Sequence, residues 1–197
     1  IYLSEAAMNY KMIKNILGWI LLFESLFMLV PLITAIIYWE KAFFSFLIPI
    51  ILCLALGLIL ARKRPENTTL YSKEGFVIVS LSWIVLSLFG SLPFIISGSI
   101  PNFVDALFET VSGFTTTGAS ILSDVEVLPK SILMWRSFTH WVGGMGVLVF
   151  LMAFLPLSGG NNMHIMKAES TGPSVSKLVP RVKTTALILY SIYFFLT

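Results

Sequence analysis

Residues 114–120 of this chain read Phe-Thr-Thr-Thr-Gly-Ala-Ser, a polar strip set between two long apolar segments. The chemistry it offers is that of backbone oxygen. Carbonyl groups at membrane depth are tolerated only where they are buried in protein or line a wet cavity, and rings of them can replace the water shell of a cation. Three threonines followed by a glycine suit a segment that runs extended with its C=O groups turned to one side, since Gly118 can take backbone angles that a Cβ forbids. On that reading the carbonyls of Thr116, Thr117 and Gly118 are the ligands, and Thr115 and Ala119 support them. Taken alone, the strip also fits a re-entrant loop of another kind or a tight extracellular turn.

Ionisable residues surround it. Asp105 and Glu109 are four apart and share one helical face, and Asp124 and Glu126 follow the strip. Paired carboxylates can do acid–base catalysis, but no nucleophile or set of metal ligands accompanies this pair. As acids at a pore mouth they would concentrate cations. Arg136 falls where its guanidinium can answer Asp124, Glu126 or Glu109, which makes it a support and not an ion ligand. His140 has no second metal ligand at usable spacing, so a hydrogen-bonded structural histidine is expected. Glu24 is the lone charge of the first apolar run, near a helix end where snorkelling is cheap, so a structural role is expected there in preference to an ion-path carboxylate. Cys53, the single cysteine, excludes a disulfide framework and a cysteine metal cluster.

The elements that must position these groups follow from composition. With 57% hydrophobic and 12% charged residues and a mean hydropathy of +0.90, the chain is an all-α integral membrane protein. Its pI near 9.0 does not point to nucleic acid, because the basic residues are dealt out between apolar runs. No cleavable signal is evident. The chain starts at Ile1 and stops at Thr197 inside an apolar run, and it is read as a piece of a longer protein.

Spans are expected at residues 16–38 and 42–61, the second kinked at Pro49, as an amino-terminal pair within 1–74. The unit at 75–157 holds an outer helix at 75–97, a short helix at 102–113 with Asn102 as N-cap, the strip at 114–120, and an inner helix at 132–157. At about 1.5 Å per residue the short helix covers roughly half the hydrocarbon thickness, so it enters and returns. Its first turn carries Asp105 at the positive dipole end, and its carboxyl end points partial negative charge into the strip. Gly143, Gly144 and Gly146 allow either close helix packing or local unwinding. A cytoplasmic connection at 158–183 leads to a further span begun at 184–197. Ten Lys and Arg residues (11, 14, 62, 63, 64, 73, 167, 177, 181 and 183) then lie inside and three (41, 130 and 136) toward the outside, which puts the amino terminus in the cytoplasm and the strip at the outer face.

The run from Asp105 to Ser120, then Trp135-Arg136, residues 141–146 (Trp-Val-Gly-Gly-Met-Gly), Gly172-Pro173 and Pro180-Arg181 together resemble the Trk/Ktr/HKT superfamily of potassium transporters. The match runs from about residue 8 to the end, and the first two spans resemble the extra amino-terminal pair of TrkH-type members. The resemblance implies a potassium-channel-like fold of four outer-helix, pore-loop and inner-helix units around one pore, of which the chain holds the first and the opening of the second. It also implies potassium uptake across the cytoplasmic membrane, passive or coupled, with potassium as substrate and no cofactor. A homodimer and a cytoplasmic nucleotide-binding regulatory subunit of the TrkA type are implied as partners, and the basic segment 167–183 is either their docking surface or a loop facing lipid headgroups. The departure is one of extent, since no second Thr/Gly strip occurs. Two other classes stay open on the residues alone: a membrane-embedded enzyme using Asp105 and Glu109, or His140 and His164, and a membrane scaffold that transports nothing.

Overall fold

The computed structural model describes residues 8–63, 72–146 and 182–196, all helices and connections, with no strand among them. In chain order the helices are α1 (Tyr10–Phe27), α2 (Leu29–Ile37), α3 (Phe43–Ala61), α4 (Ser72–Gly90), α5 (Leu92–Ile96), α6 (Phe103–Phe114), α7 (Lys130–Met145) and α8 (Val182–Leu196). Residues 147–157 of the expected inner helix, most of the basic loop after α3, the connection through 181 and His164 lie outside the described residues.

Three stretches are long and apolar enough to cross a membrane: Tyr10–Ile37, Phe43–Ala61 and Lys73–Ile96. Prolines break the first and third. Pro31 has no N–H for the Phe27 carbonyl, and the helix hitches at Met28 before resuming as α2. Pro93 does the same to Phe89, with the break at Ser91, where the sequence had suggested one helix across 75–97. α3 passes through Pro49 as one helix.

α1 and α3 form a close antiparallel pair. A Cβ on Gly18 would meet Leu60 and the Ala61 backbone, and one on Gly57 would meet Leu22 and the Gly18 carbonyl. The Asn15 amide donates to the carbonyls of Ala61 (3.1 Å) and Lys63 (3.3 Å), satisfying acceptors that the end of α3 leaves orphaned.

The turn between α2 and α3 is tight. Glu40 N–H donates to Ala35 O (2.9 Å) and Trp39 N–H to Ile36 O (3.2 Å), a Schellman cap with Trp39 at φ +53. Glycine is usual at that position. Here the ring is 94% exposed at a helix end, where an indole suits the membrane–water boundary.

α2 packs on α7, α4 packs on α1 and α6, and α6 lies along α7. An aromatic column fills the junction: Phe114 against Trp135 (6.4 Å between centroids), Trp135 against Phe138, Phe138 against Trp141 (5.4 Å), and Phe27 edge-on to Phe138 (5.7 Å). The Trp135 indole donates to the Gly90 carbonyl at 2.8 Å. That acceptor is free because Phe94 N–H, after the break, turns to Ser91 O.

Candidate functional site

α6 is the half-length helix that the strip requires. Asn102 caps it as expected, its side chain accepting from Val104 N–H at 2.9 Å, and half-buried Asp105 lies in its first turn. The other end includes Phe114, one residue beyond the expected boundary, and closes in a second Schellman cap. Thr116 N–H donates to Gly113 O (2.9 Å) and Thr117 N–H to Ser112 O (3.0 Å), with Thr116 at φ +55. The Thr115 hydroxyl donates to Val111 O (2.7 Å) and lies 2.8 Å from that of Thr117. The strip thus opens in a turn and becomes irregular only from Thr117, which differs from the extended run read from its sequence. The cause is the helix end itself, whose last carbonyls need donors.

Along the strip φ alternates in sign: −84° at Thr115, +55° at Thr116, negative at Thr117 and +74° at Gly118. Successive carbonyls of an extended chain face opposite ways, and alternation of this kind can bring them to one side. Among the described residues nothing donates to the carbonyls of Thr116, Thr117 or Gly118, whereas Ala119 O accepts from the Ser112 hydroxyl at 2.6 Å. Residues 115–120 are exposed. A Cβ on Gly118 would meet nothing within 4 Å, so within this chain its positive φ, and not lack of room, is what asks for glycine.

The far end of the strip is held by Glu109. Its carboxylate is buried and accepts from the Ser120 hydroxyl (3.0 and 3.1 Å), from Ile121 N–H (3.2 Å) and from Arg136 Nε at 2.6 Å. Of the three acids within reach of Arg136 by sequence, the fold selects this one. Glu109 shares the face of Asp105 and was expected with it at the pore mouth, but it is buried against Arg136 of α7, while Asp105, one turn nearer the start of α6, stays half-exposed.

α7 backs the strip closely. A Cβ on Gly143 would fall on the Phe114 carbonyl, and one on Gly113 would strike Thr139. Gly144 faces the Tyr193 hydroxyl of α8, which donates to Trp141 O at 3.0 Å. Gly146 sits at φ +69 where α7 ends. Close packing therefore applies at 143 and 144, and Gly146 caps the end of α7. His140 contacts its own helix, Nδ1 lying 2.9 Å from Arg136 O, and no cluster of metal-ligating side chains occurs among the described residues.

Two residues differ from expectation. Glu24 lies well inside the Tyr10–Ile37 span and is 1% exposed, with no hydrogen bond to either carboxylate oxygen among the described residues, so it does not snorkel. The hitch at Met28 continues the span beyond α1, which is why a helix end there is not a membrane surface. Glu40 had no role assigned. Its carboxylate accepts from Lys130 N–H (2.6 Å), Ser131 N–H (3.0 Å) and the Ser131 hydroxyl, capping α7 from 90 residues upstream. The sequence signal was the start of α7 itself, where Pro129 has no side-chain acceptor to cap with.

Three apolar spans, a half-length helix and a strip whose middle carbonyls meet no donor among the described residues define a helical membrane protein. Residues 41–197 match the family model TrkH, described as cation transport protein, and the chain belongs to that family. It is 41% identical over 194 residues to the Trk system potassium uptake protein TrkH of Escherichia coli (strain K12), covering 96% of this chain and 40% of the relative. Against its counterpart from Halomonas elongata it is 37% identical over 193 residues, again 96% and 40%. The crystal structure of the potassium transporter TrkH from Vibrio parahaemolyticus superposes with a TM-score of 0.75 at 35% identity, over 95% of this chain and 37% of that one. The chain thus spans about two fifths of the length of the curated relatives it matches.

Proposed function

We propose that the chain is the amino-terminal part of the pore-forming subunit of a potassium uptake system, and that Thr116, Thr117 and Gly118 supply one unit's share of a carbonyl selectivity filter. The observation that carries this is the strip itself: three carbonyls without donors, alternating φ, and exposure on a face that further units of a longer chain would complete. Thr115 and Ala119 hold its ends through hydrogen bonds to Val111 and Ser112, and Arg136 holds it through Glu109. Asp105, with Asp124 and Glu126, is left to attract cations. The subunit works in the cytoplasmic membrane with its amino terminus inside, as a homodimer, with a nucleotide-binding regulatory subunit of the TrkA type. The named relatives are potassium uptake proteins, which favours transport over an enzyme or a scaffold.

Gly118→Ser in the full-length protein tests the filter, with Gly98→Ser as control. Both glycines have positive φ and open space at the Cβ, but Gly98 belongs to the turn before α6. Gly118→Ser is expected to weaken potassium discrimination over sodium at near-normal expression, and Gly98→Ser to leave discrimination intact. Unchanged discrimination in Gly118→Ser would remove the strip from the filter.

A further inference from the structure

We infer that Glu40, in the turn of the amino-terminal helix pair, is a positioning residue for the strip, fixing the ion-selecting geometry through α7. The inference rests on the potassium-filter reading. The first N–H groups of a helix need acceptors, and α7 begins at Pro129-Lys130-Ser131 without a local one. A serine or aspartate at position 129 would have satisfied them. The chain instead takes the acceptor from another element. Both oxygens of Glu40 are engaged, one by Lys130 N–H and the other by Ser131 N–H and its hydroxyl, with Ser131 fully buried. A carboxylate at the positive end of a helix is also favoured by the dipole.

What α7 carries makes its position matter. Arg136, on the second turn, grips Glu109, and Glu109 holds Ser120 and Ile121 at the far end of the strip. Gly143, farther along, lies against the Phe114 carbonyl at the near end. A slide or rotation of α7 therefore shifts both ends of the strip together. Packing of Phe27 on Phe138 fixes the lateral distance of α7 from the helix pair, but apolar contacts resist axial sliding weakly. The directional bonds at Glu40 supply that restraint, and the Schellman cap at Trp39 aims the carboxylate.

Capping and positioning are separable. In the full-length transporter, Glu40→Gln keeps the shape but replaces one acceptor oxygen by a donor that faces the α7 N–H groups. Adding Pro129→Asp returns a local cap without the tether. Potassium uptake should show a KM raised roughly threefold or more, with weakened discrimination over sodium, in E40Q and equally in E40Q/P129D, while the second change recovers melting temperature. Amide hydrogen exchange at Ser120–Leu122, read by mass spectrometry on purified protein, should speed up in both variants, and this readout does not depend on transport. E40Q should also be non-additive with R136K in discrimination, as one connected path requires. Wild-type KM, discrimination and exchange in E40Q/P129D would overturn the inference and reduce Glu40 to a helix cap. Should E40Q fail to fold, the double variant alone decides. Absence of potassium discrimination in the wild type would sink the filter reading instead, with the exchange data still testing the tether.

Discussion

Arg136 and Glu109 show how one atom decides a substitution. The donor that meets the carboxylate is Nε, at 2.6 Å, and in lysine the Cε methylene occupies that place along the side chain. Arg136→Lys therefore keeps the charge and loses the bond, at an expected cost of about 2 kcal/mol. Thermal unfolding of the purified variant checks it, and a wild-type melting temperature would refute it. Glu24 calls for the opposite sign. A buried carboxylate with neither oxygen hydrogen-bonded among the described residues contributes no contact worth keeping, and its burial is unfavourable. Glu24→Leu should raise stability by about 1–3 kcal/mol, and a clearly lower melting temperature would show that the carboxylate has a partner in the assembled protein. Neither conclusion could be drawn from sequence. Spacing left Arg136 three acids to choose from, because it does not fix which of them α7 meets, and it put Glu24 in the 16–38 span without revealing that the fold buries it there.

At the level of elements, local chemistry was readable and distant chemistry was not. Asn102 announced the start of α6 because an N-cap acts within its own turn, and the half-length helix followed from counting residues against membrane thickness. Gly118 was readable as a backbone requirement, and the conformation at fault for a side chain there is its φ of +74°. The break at Ser91 was missed although Pro93 stood in view, since proline within a span is compatible with either a kink or a stop. The packing of α7 on the strip was left between two readings, and geometry now gives it a testable consequence. With the Phe114 carbonyl where a Gly143 Cβ would go, Gly143→Ala must push α6 and α7 apart, at about 1–3 kcal/mol. Loss of melting temperature together with altered potassium affinity is expected in the full-length protein. Ala tolerated at 143 without change would mean that the two helices do not approach so closely in the assembled pore.

For the whole molecule, sidedness is the first thing to measure. On the proposed topology, ten basic residues lie inside and three outside, which would put the strip at the outer face and the connection after residue 157 inside. In a variant lacking Cys53, a cysteine at Ser123 should react with an impermeant reagent on intact cells and one at Ser176 should not; the reverse would invert the topology. The α1–α3 pair also has a temporal consequence. Its glycine crossing and the Asn15 bonds to Ala61 and Lys63 join only residues up to 63, so the pair can close without help from anything later in the chain. When Lys130 and Ser131 later emerge, the Glu40 carboxylate is already in place to receive them. The helix pair can thus act as a template on which the unit that follows it is laid down, and order of synthesis becomes order of assembly.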